Sequence, residues 1–501
     1  MKPSENIFEL IKSLSGKEIE YILKTSDQHK KSGSNNYMML FHEILSQPVY
    51  NEKEIIKKLG YENSLNNFAF TKNYLYHFIL NRLEEICQLP QVALRRSINC
   101  ASLCLQKQYH PFMESILNEA EAEAYKLQLF DNSLSIVELQ LMGKKPDAET
   151  AVRIKKMLQA KKSFLHYRKL FALVRLKHHQ SSFIRDILKT PEFKHVYEEE
   201  LLEPDANYNF NHKIFFYLAK GIVYYATKDY ENGTHIRNEL IKLWDKYPHM
   251  IQVRFAAYYN TYYNKALVLS NLGQFSEAVT AIYFLRNKME ELNRGTLFQK
   301  YMLYNLLIDV YNSCGHFEKS LEVIDEYTHF RQGLPNSENT LYSDQQFYFY
   351  LAKVYYGTGN LKEASKHINH IINNELEYNA DITCMAYVLS LIIYFEGGKT
   401  DVLEYRLNHA QRQLEKRNCM MGSLQLLTKF FKNYINKQPE SAELKLLFKK
   451  LKEGIDTNIS TDVVQQNLLS YFDIAAWVTS KTENCSLAEV LKKQSGYPAL
   501  R

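Results

Sequence analysis

The chain has 501 residues, 46% of them hydrophobic, a net charge of +6, and few glycines (17) or prolines (11). No stretch combines sustained alternation with Asn-Gly or Asp-Gly turns, which excludes a sheet protein and points to an all-α fold. The longest apolar run, 382–395, falls short of the roughly 18 to 20 residues a membrane span needs. The N-terminus, MKPSENIFELIKSL, lacks the apolar segment and cleavage site of a secretion signal. Seven cysteines without a C-x-x-C pair suit free thiols in a reducing compartment, so a soluble cytoplasmic protein is expected.

Residues 1–90 read as an N-terminal helical subdomain with helices near 5–14, 17–29, 35–46, 51–59 and 68–88. A short helix ends at Gly60 and a longer one begins near Thr71, with Tyr74, Phe78, Leu80 and Leu83 on its apolar side. That outline is loosely a helix-turn-helix, whose second helix would offer Lys72, Asn73 and Tyr76 to a DNA groove. Its connection of about eight residues exceeds the usual three or four, so a plain helical cap is the competing reading.

Residues 91–204 read as degenerate hairpins followed by a long basic helix. With Lys107 as the turn, Leu103, Tyr109, Phe112 and Ile116 fill helical-hairpin offsets. One helix over 146–179 places Ile154, Leu158, Leu165 and Ala172 on one apolar line and Met157, Phe164 and Phe171 on another. Between them run Lys155, Lys162 and Lys169, and Lys161, Arg168 and Arg175. Positions 153–189 hold eleven Lys or Arg and one Asp, and the acidic run Glu198, Glu199, Glu200, Glu203 and Asp205 follows. This basic patch suits a solvated face paired with that run, an acidic partner, or nucleic acid.

Residues 205–416 carry an internal repeat. Around Gly315 stand Tyr311, Phe317, Ser320, Ile324 and Tyr327, and the same offsets recur around Lys228, Gly273, Gly359 and Gly398. The turns are 45, 42, 44 and 39 residues apart, which predicts five helical hairpins in series. Small residues at Gly221, Gly233, Ala266, Ala278, Ser320, Ala352 and Ala364 would let paired helices approach to about 8 to 10 Å. Residues 417–501 are expected to add two or three helices that cap the last repeat, anchored by Phe472, Trp477 and Leu487.

The pattern small, three residues, Tyr or Leu, then Gly-x-aromatic-x-x-Ala resembles the tetratricopeptide repeat, most closely in YNKALVLSNLGQFSEAVTAI and YFYLAKVYYGTGNLKEASKHI. Ile308 departs from the small residue expected there, Tyr replaces the usual Trp, and the spacing exceeds the family's period of about 34 residues. Over its length the chain also resembles bacterial tetratricopeptide-type proteins to which no activity is attached. The resemblance implies an α-solenoid, a right-handed superhelix of antiparallel helical hairpins. It implies a concave groove for a peptide or protein partner, lined by Asn260, Tyr263, Leu267 and Ser270, then Met302, Asn305, Asp309 and Asn312, then Gln346, Phe349, Lys353 and Tyr356. Asn and Gln offer both donor and acceptor to a peptide backbone, and Tyr adds contact area with a polar tip.

The sequence offers no recognisable catalytic spacing. Gly398, Lys399 and Thr400 echo a phosphate loop, but Ile393 stands where its first glycine belongs. His367 and His370 lie three apart without a third ligand, and Cys100 and Cys104 are expected to pack in a core rather than bind metal. The expectation is a non-enzymatic interaction scaffold without cofactor or metal. The alternative is a DNA-binding or signalling regulator whose repeats sense a partner.

Overall fold

The computed structural model describes residues 3–27, 36–87, 89–143, 148–180, 190–201, 209–332, 341–374, 380–420, 422–457 and 468–496. Among the described residues there are twenty-five helices and no strand, so the chain is all-α. They form two compact units, one from 3–143 and the other from 148–496. Residues 91–143 thus belong with the N-terminal helices, and the long basic helix belongs with the hairpins that follow it.

In the first unit, α1 (Pro3–Lys12), α2 (Gly16–Asp27), α3 (Asn36–Ser46), α4 (Glu52–Lys58) and α5 (Leu65–Ile86) enclose a core of Ile7, Ile11, Ile22, Leu40, Phe41, Ile44, Ile55, Leu75 and Ile79. Helix α5 starts six residues before the expected Thr71, behind Ser64. Its buried face is Phe68, Leu75, Phe78 and Ile79, while Tyr74 and Leu80 point out, at 49% and 38% exposure. A helix that starts one and a half turns earlier can bury a face through Phe68, and burying Leu75 rotates Tyr74 toward solvent.

Helices α6 (Pro90–Gln106), α7 (His110–Lys126) and α8 (Phe130–Gly143) complete this unit. The turn between α6 and α7 is made by Gln108, at φ +60°, and Lys107 is the preceding cap. This one-residue shift corrects the expected register. Leu103, Tyr109 and Phe112 are exposed, and Ala101, Met113, Leu117 and Ala120 are among the buried residues. Counted from Gln108, those four fall at the repeat offsets that Ile308, Ser320, Ile324 and Tyr327 occupy around Gly315.

The second unit opens with α9 (Ala148–Gln180) and α10 (Pro191–Glu198). Five hairpins follow: α11 (Asn209–Ala226) with α12 (Tyr230–Lys246), α14 (Phe255–Asn271) with α15 (Phe275–Glu291), α16 (Leu297–Ser313) with α17 (Phe317–Gln332), α18 (Leu341–Gly357) with α19 (Leu361–Asn373), and α20 (Ala380–Glu396) with α21 (Thr400–Lys416). The single turn α13 (Met250–Val253) lengthens the first connection. All five turns have positive φ, from +58° at Lys228 to +80° at Gly359, as a reversal of three or four residues between helices requires. Most of these helices run 17 residues, which accounts for the long repeat spacing.

Ala266, Ala278, Ala352, Ala364 and Ser320 are fully buried at the helix contacts, as expected. Ile308 is fully buried too, and the small Ser320 faces it, with its hydroxyl 3.3 Å from the Ile308 carbonyl. Gly221 and Gly233 do not mark tight crossings: a Cβ on Gly221 would meet nothing within 4 Å, and one on Gly233 only Tyr224 at 3.5 Å.

Helices α22 (Gly422–Lys437) and α23 (Ser441–Thr457) make a sixth hairpin, turning at Gln438. The chain from 468 then runs along the hairpins through α24 (Ile474–Glu483) and α25 (Leu487–Ser495). Phe472 and Trp477 are buried, and Leu487 is half-buried. Helix α25 reaches the turn of the third hairpin, where Phe317 packs with Ala476, Val490 and Leu491. Gly315 admits this contact, because a Cβ there would lie 2.6 Å from the Ala488 carbonyl oxygen. The C-terminal residues therefore cover the third hairpin as well as the end of the array.

Candidate functional site

Helical spacing brings the site together. On α14, Leu267, Ser270 and Asn271 share a face; so do Asp309, Asn312 and Ser313 on α16, and Gln346, Tyr350 and Lys353 on α18. With Tyr225 of α11 and residues 469–473, 487 and 491 of the C-terminal segment, they line a cavity of about 340 Å³.

Its polar groups are mostly engaged with one another. Lys353 Nζ donates to Asp309 Oδ1 at 3.0 Å and lies 5.6 Å from the centre of the Tyr350 ring. Gln346 Nε2 donates to the Tyr350 hydroxyl at 2.6 Å. Asn312 accepts the Ser320 hydroxyl at 2.9 Å and turns its amide toward the Tyr350 carbonyl. Tyr471 sets its ring on Phe349, and Phe472 sets its ring on Tyr356. Burial pushes the hydroxyls of Tyr225, Tyr263, Tyr350 and Tyr471 up, and the nearby Asp309 carboxylate adds to each shift. These phenols therefore stay protonated at neutral pH.

Asp473 closes one side. Its carboxylate caps α24, accepting the Ala476 N–H at 2.7 Å.

Of the twelve groove residues read from the sequence, Leu267, Ser270, Asp309, Asn312, Gln346 and Lys353 meet at this cavity. Tyr263 stacks on Tyr259 with centroids 5.7 Å apart. Tyr356 is buried and donates to Glu396 at 3.2 Å. Asn260 lines a different cavity, with Arg175 and Arg294. Asn305 is 1% exposed, and neither amide atom has a hydrogen-bond partner among the described residues. Tyr225, Tyr350, Tyr471 and Asp473 were not singled out in the sequence, which nevertheless marks Asp473 by its place before the apolar run IAAWV.

On α9 the two apolar lines separate. Met157 and Phe164 are buried, but Leu158 and Leu165 are 50% and 46% exposed, on the same side as the basic residues. Lys155, Lys162, Arg168, Lys169 and Arg175 are exposed, and Lys161 is half-buried. Of the acidic run, Glu199 meets His166 of α9 at 3.2 Å and His195 at 3.4 Å. Glu203 and Asp205 lie outside the described residues.

In the N-terminal unit, Lys72 pairs with Glu52 at 3.2 Å and its side chain is only 17% exposed, so it is committed within the fold rather than presented to a groove. Tyr76 is half-buried and Asn73 exposed. Gly398 is a hairpin turn at φ +63°. His367 stacks on Tyr355 and His370 packs on Tyr348. Cys100 is exposed, contrary to the expected core role, and Cys104 is half-buried. Among the described residues no group of three His, Cys, Asp or Glu could hold a metal, and no helix is long and apolar enough to cross a membrane. The chain matches no family model and no curated protein.

Proposed function

We propose that this protein is a tetratricopeptide-like interaction scaffold, its hairpins wound as a right-handed superhelix, and that it binds a protein partner through the cavity around Asp309 and Lys353. The observation that carries this reading is the convergence of Asp309, Asn312, Gln346 and Lys353 with Tyr225, Tyr350 and Tyr471 on one space of about 340 Å³. That volume lies at the low end of the roughly 300–1,000 Å³ of ligand pockets. Residues 469–473 form one of its walls, so what fits is a side chain or chain end of a bound segment rather than a whole helix. Phenol and amide groups suit an uncharged polar stretch of polypeptide.

Filling the cavity tests this with less disturbance than deleting its bonds. Ser270 and Ser313 are half-buried in the lining. The Ser270→Phe, Ser313→Phe variant is expected to keep its far-ultraviolet circular dichroism and to lose the proteins that the immobilised wild type captures from a nuclease-treated native lysate. An unchanged set of captured proteins from a folded variant would mean that the cavity is not the binding site.

A further inference from the structure

A second cavity of the same unit, about 580 Å³, has a different character. Its walls come from α9, α11, the start of α14 and the 293–299 connection into α16. Three guanidinium side chains line it, Arg175, Arg254 and Arg294, and none of the described residues lining it is acidic. Arg294 donates from Nη2 to the Gln252 carbonyl at 2.9 Å, a neutral acceptor that fixes the group and leaves its charge in place. Arg254 donates from Nε to Asn211 Oδ1 at 3.1 Å and lies 5.6 Å from the centre of the Phe164 ring. Arg175 is exposed at the mouth, the last member of the basic series on α9.

Arg175 and Arg294 bring two positive charges to one recess, which favours an anion there. The planar guanidinium fork matches the paired oxygens of a carboxylate or phosphate. The rest of the wall sets apolar and aromatic residues, Phe171, Phe215 and Phe255 among them, beside the polar Asn260, Asn293, Thr296 and Gln299. A recess of this composition holds an anionic head by charge and an apolar body by contact.

We propose that this cavity binds an oxyanion, carboxylate or phosphate, carried on a small aromatic or apolar body. The site is separate from the cavity assigned above to partner binding, and either reading can fail without the other.

Isothermal titration of the full-length protein at low ionic strength tests it, with phenyl phosphate, benzoate and inorganic phosphate as probes and phenol as the neutral control. The expected result is that phenyl phosphate or benzoate binds about tenfold more tightly to wild type than to the Arg175→Gln, Arg294→Gln variant, and phenol does not bind. Whichever of the two binds more tightly identifies the anion class, and inorganic phosphate reports how much of the affinity the head alone supplies. A Lys445→Gln, Lys449→Gln variant loses the same charge from exposed positions of α23 and is expected to keep wild-type affinity. Should the double arginine variant unfold, the single Arg175→Gln variant at an exposed position gives the same comparison. Equal affinity in the arginine variants, equal loss in the lysine variant, or no heat with any probe up to roughly 10 mM overturns the proposal.

Discussion

Trp477→Ala is expected to destabilise the second unit by about 3–5 kcal/mol, the range for removing a fully buried large aromatic side chain. Trp477 is fully buried, with the rings of Phe395, Phe430, Phe431 and Phe448 between 5.6 and 6.4 Å from its own. Its Nε1 donates to Glu396 Oε1 at 2.9 Å, and the same oxygen accepts the Tyr356 hydroxyl and the Lys481 ammonium. One side chain thus ties α24 to the fifth and sixth hairpins through packing and through a shared carboxylate. Trp477→Phe separates the two contributions, since it keeps most of the packing and drops the bond to Glu396, for an expected loss of about 1.5–3 kcal/mol. Urea unfolding measures both. The sequence has two tryptophans, so in either variant the fluorescence comes from the buried Trp244 in the first hairpin. A loss in Trp477→Ala below roughly 1 kcal/mol would show that residues 474–483 are not docked on these rings.

The same contact shows where sequence reasoning reaches and where it stops. Trp477 and Phe472 are legible as anchors because a large apolar residue beside an apolar run has to be buried somewhere. What they are buried against is a tertiary fact, and the expected seal over the last repeat becomes a segment that also reaches Phe317 and Gly315 of the third hairpin. The five hairpins are legible for a related reason. Four of their turns carry glycine, and glycine is the residue that most readily takes positive φ. Gln108 takes the same conformation without that mark, so the register of α6 and α7 read from Lys107 is one residue off. In α9 the two apolar lines look alike in sequence, and only contact with α11 decides that Met157 and Phe164 face inward while Leu158 and Leu165 do not. The candidate site was half legible. Asp309, Asn312, Gln346 and Lys353 lie at regular helical positions, whereas Tyr471 and Asp473 are brought to them from more than a hundred residues away.

Asp309→Ala is expected to cost about 3 kcal/mol, because it leaves the Lys353 ammonium buried without the carboxylate it meets at 3.0 Å. The Lys353 side chain is only 8% exposed, so water does not take over the lost contact. Asp309 retains 26% exposure, which sets the expectation at the lower end of the range for broken buried pairs. Asp473 does not substitute for it, since its carboxylate is held as the cap of α24. The decisive variant is Asp309→Ala with Lys353→Met, which removes both charges and keeps an unbranched chain against Tyr350. Its stability is expected to recover most of the loss, because the penalty belongs to the unpaired ammonium rather than to the missing pair. Comparing the two single variants and the double variant by urea unfolding isolates the coupling. If the double variant is no more stable than Asp309→Ala, Lys353 is not buried against Asp309, and the cavity lacks the charged pair at its centre. If recovery is observed while capture of a partner is lost, the pair serves binding and is not required for folding.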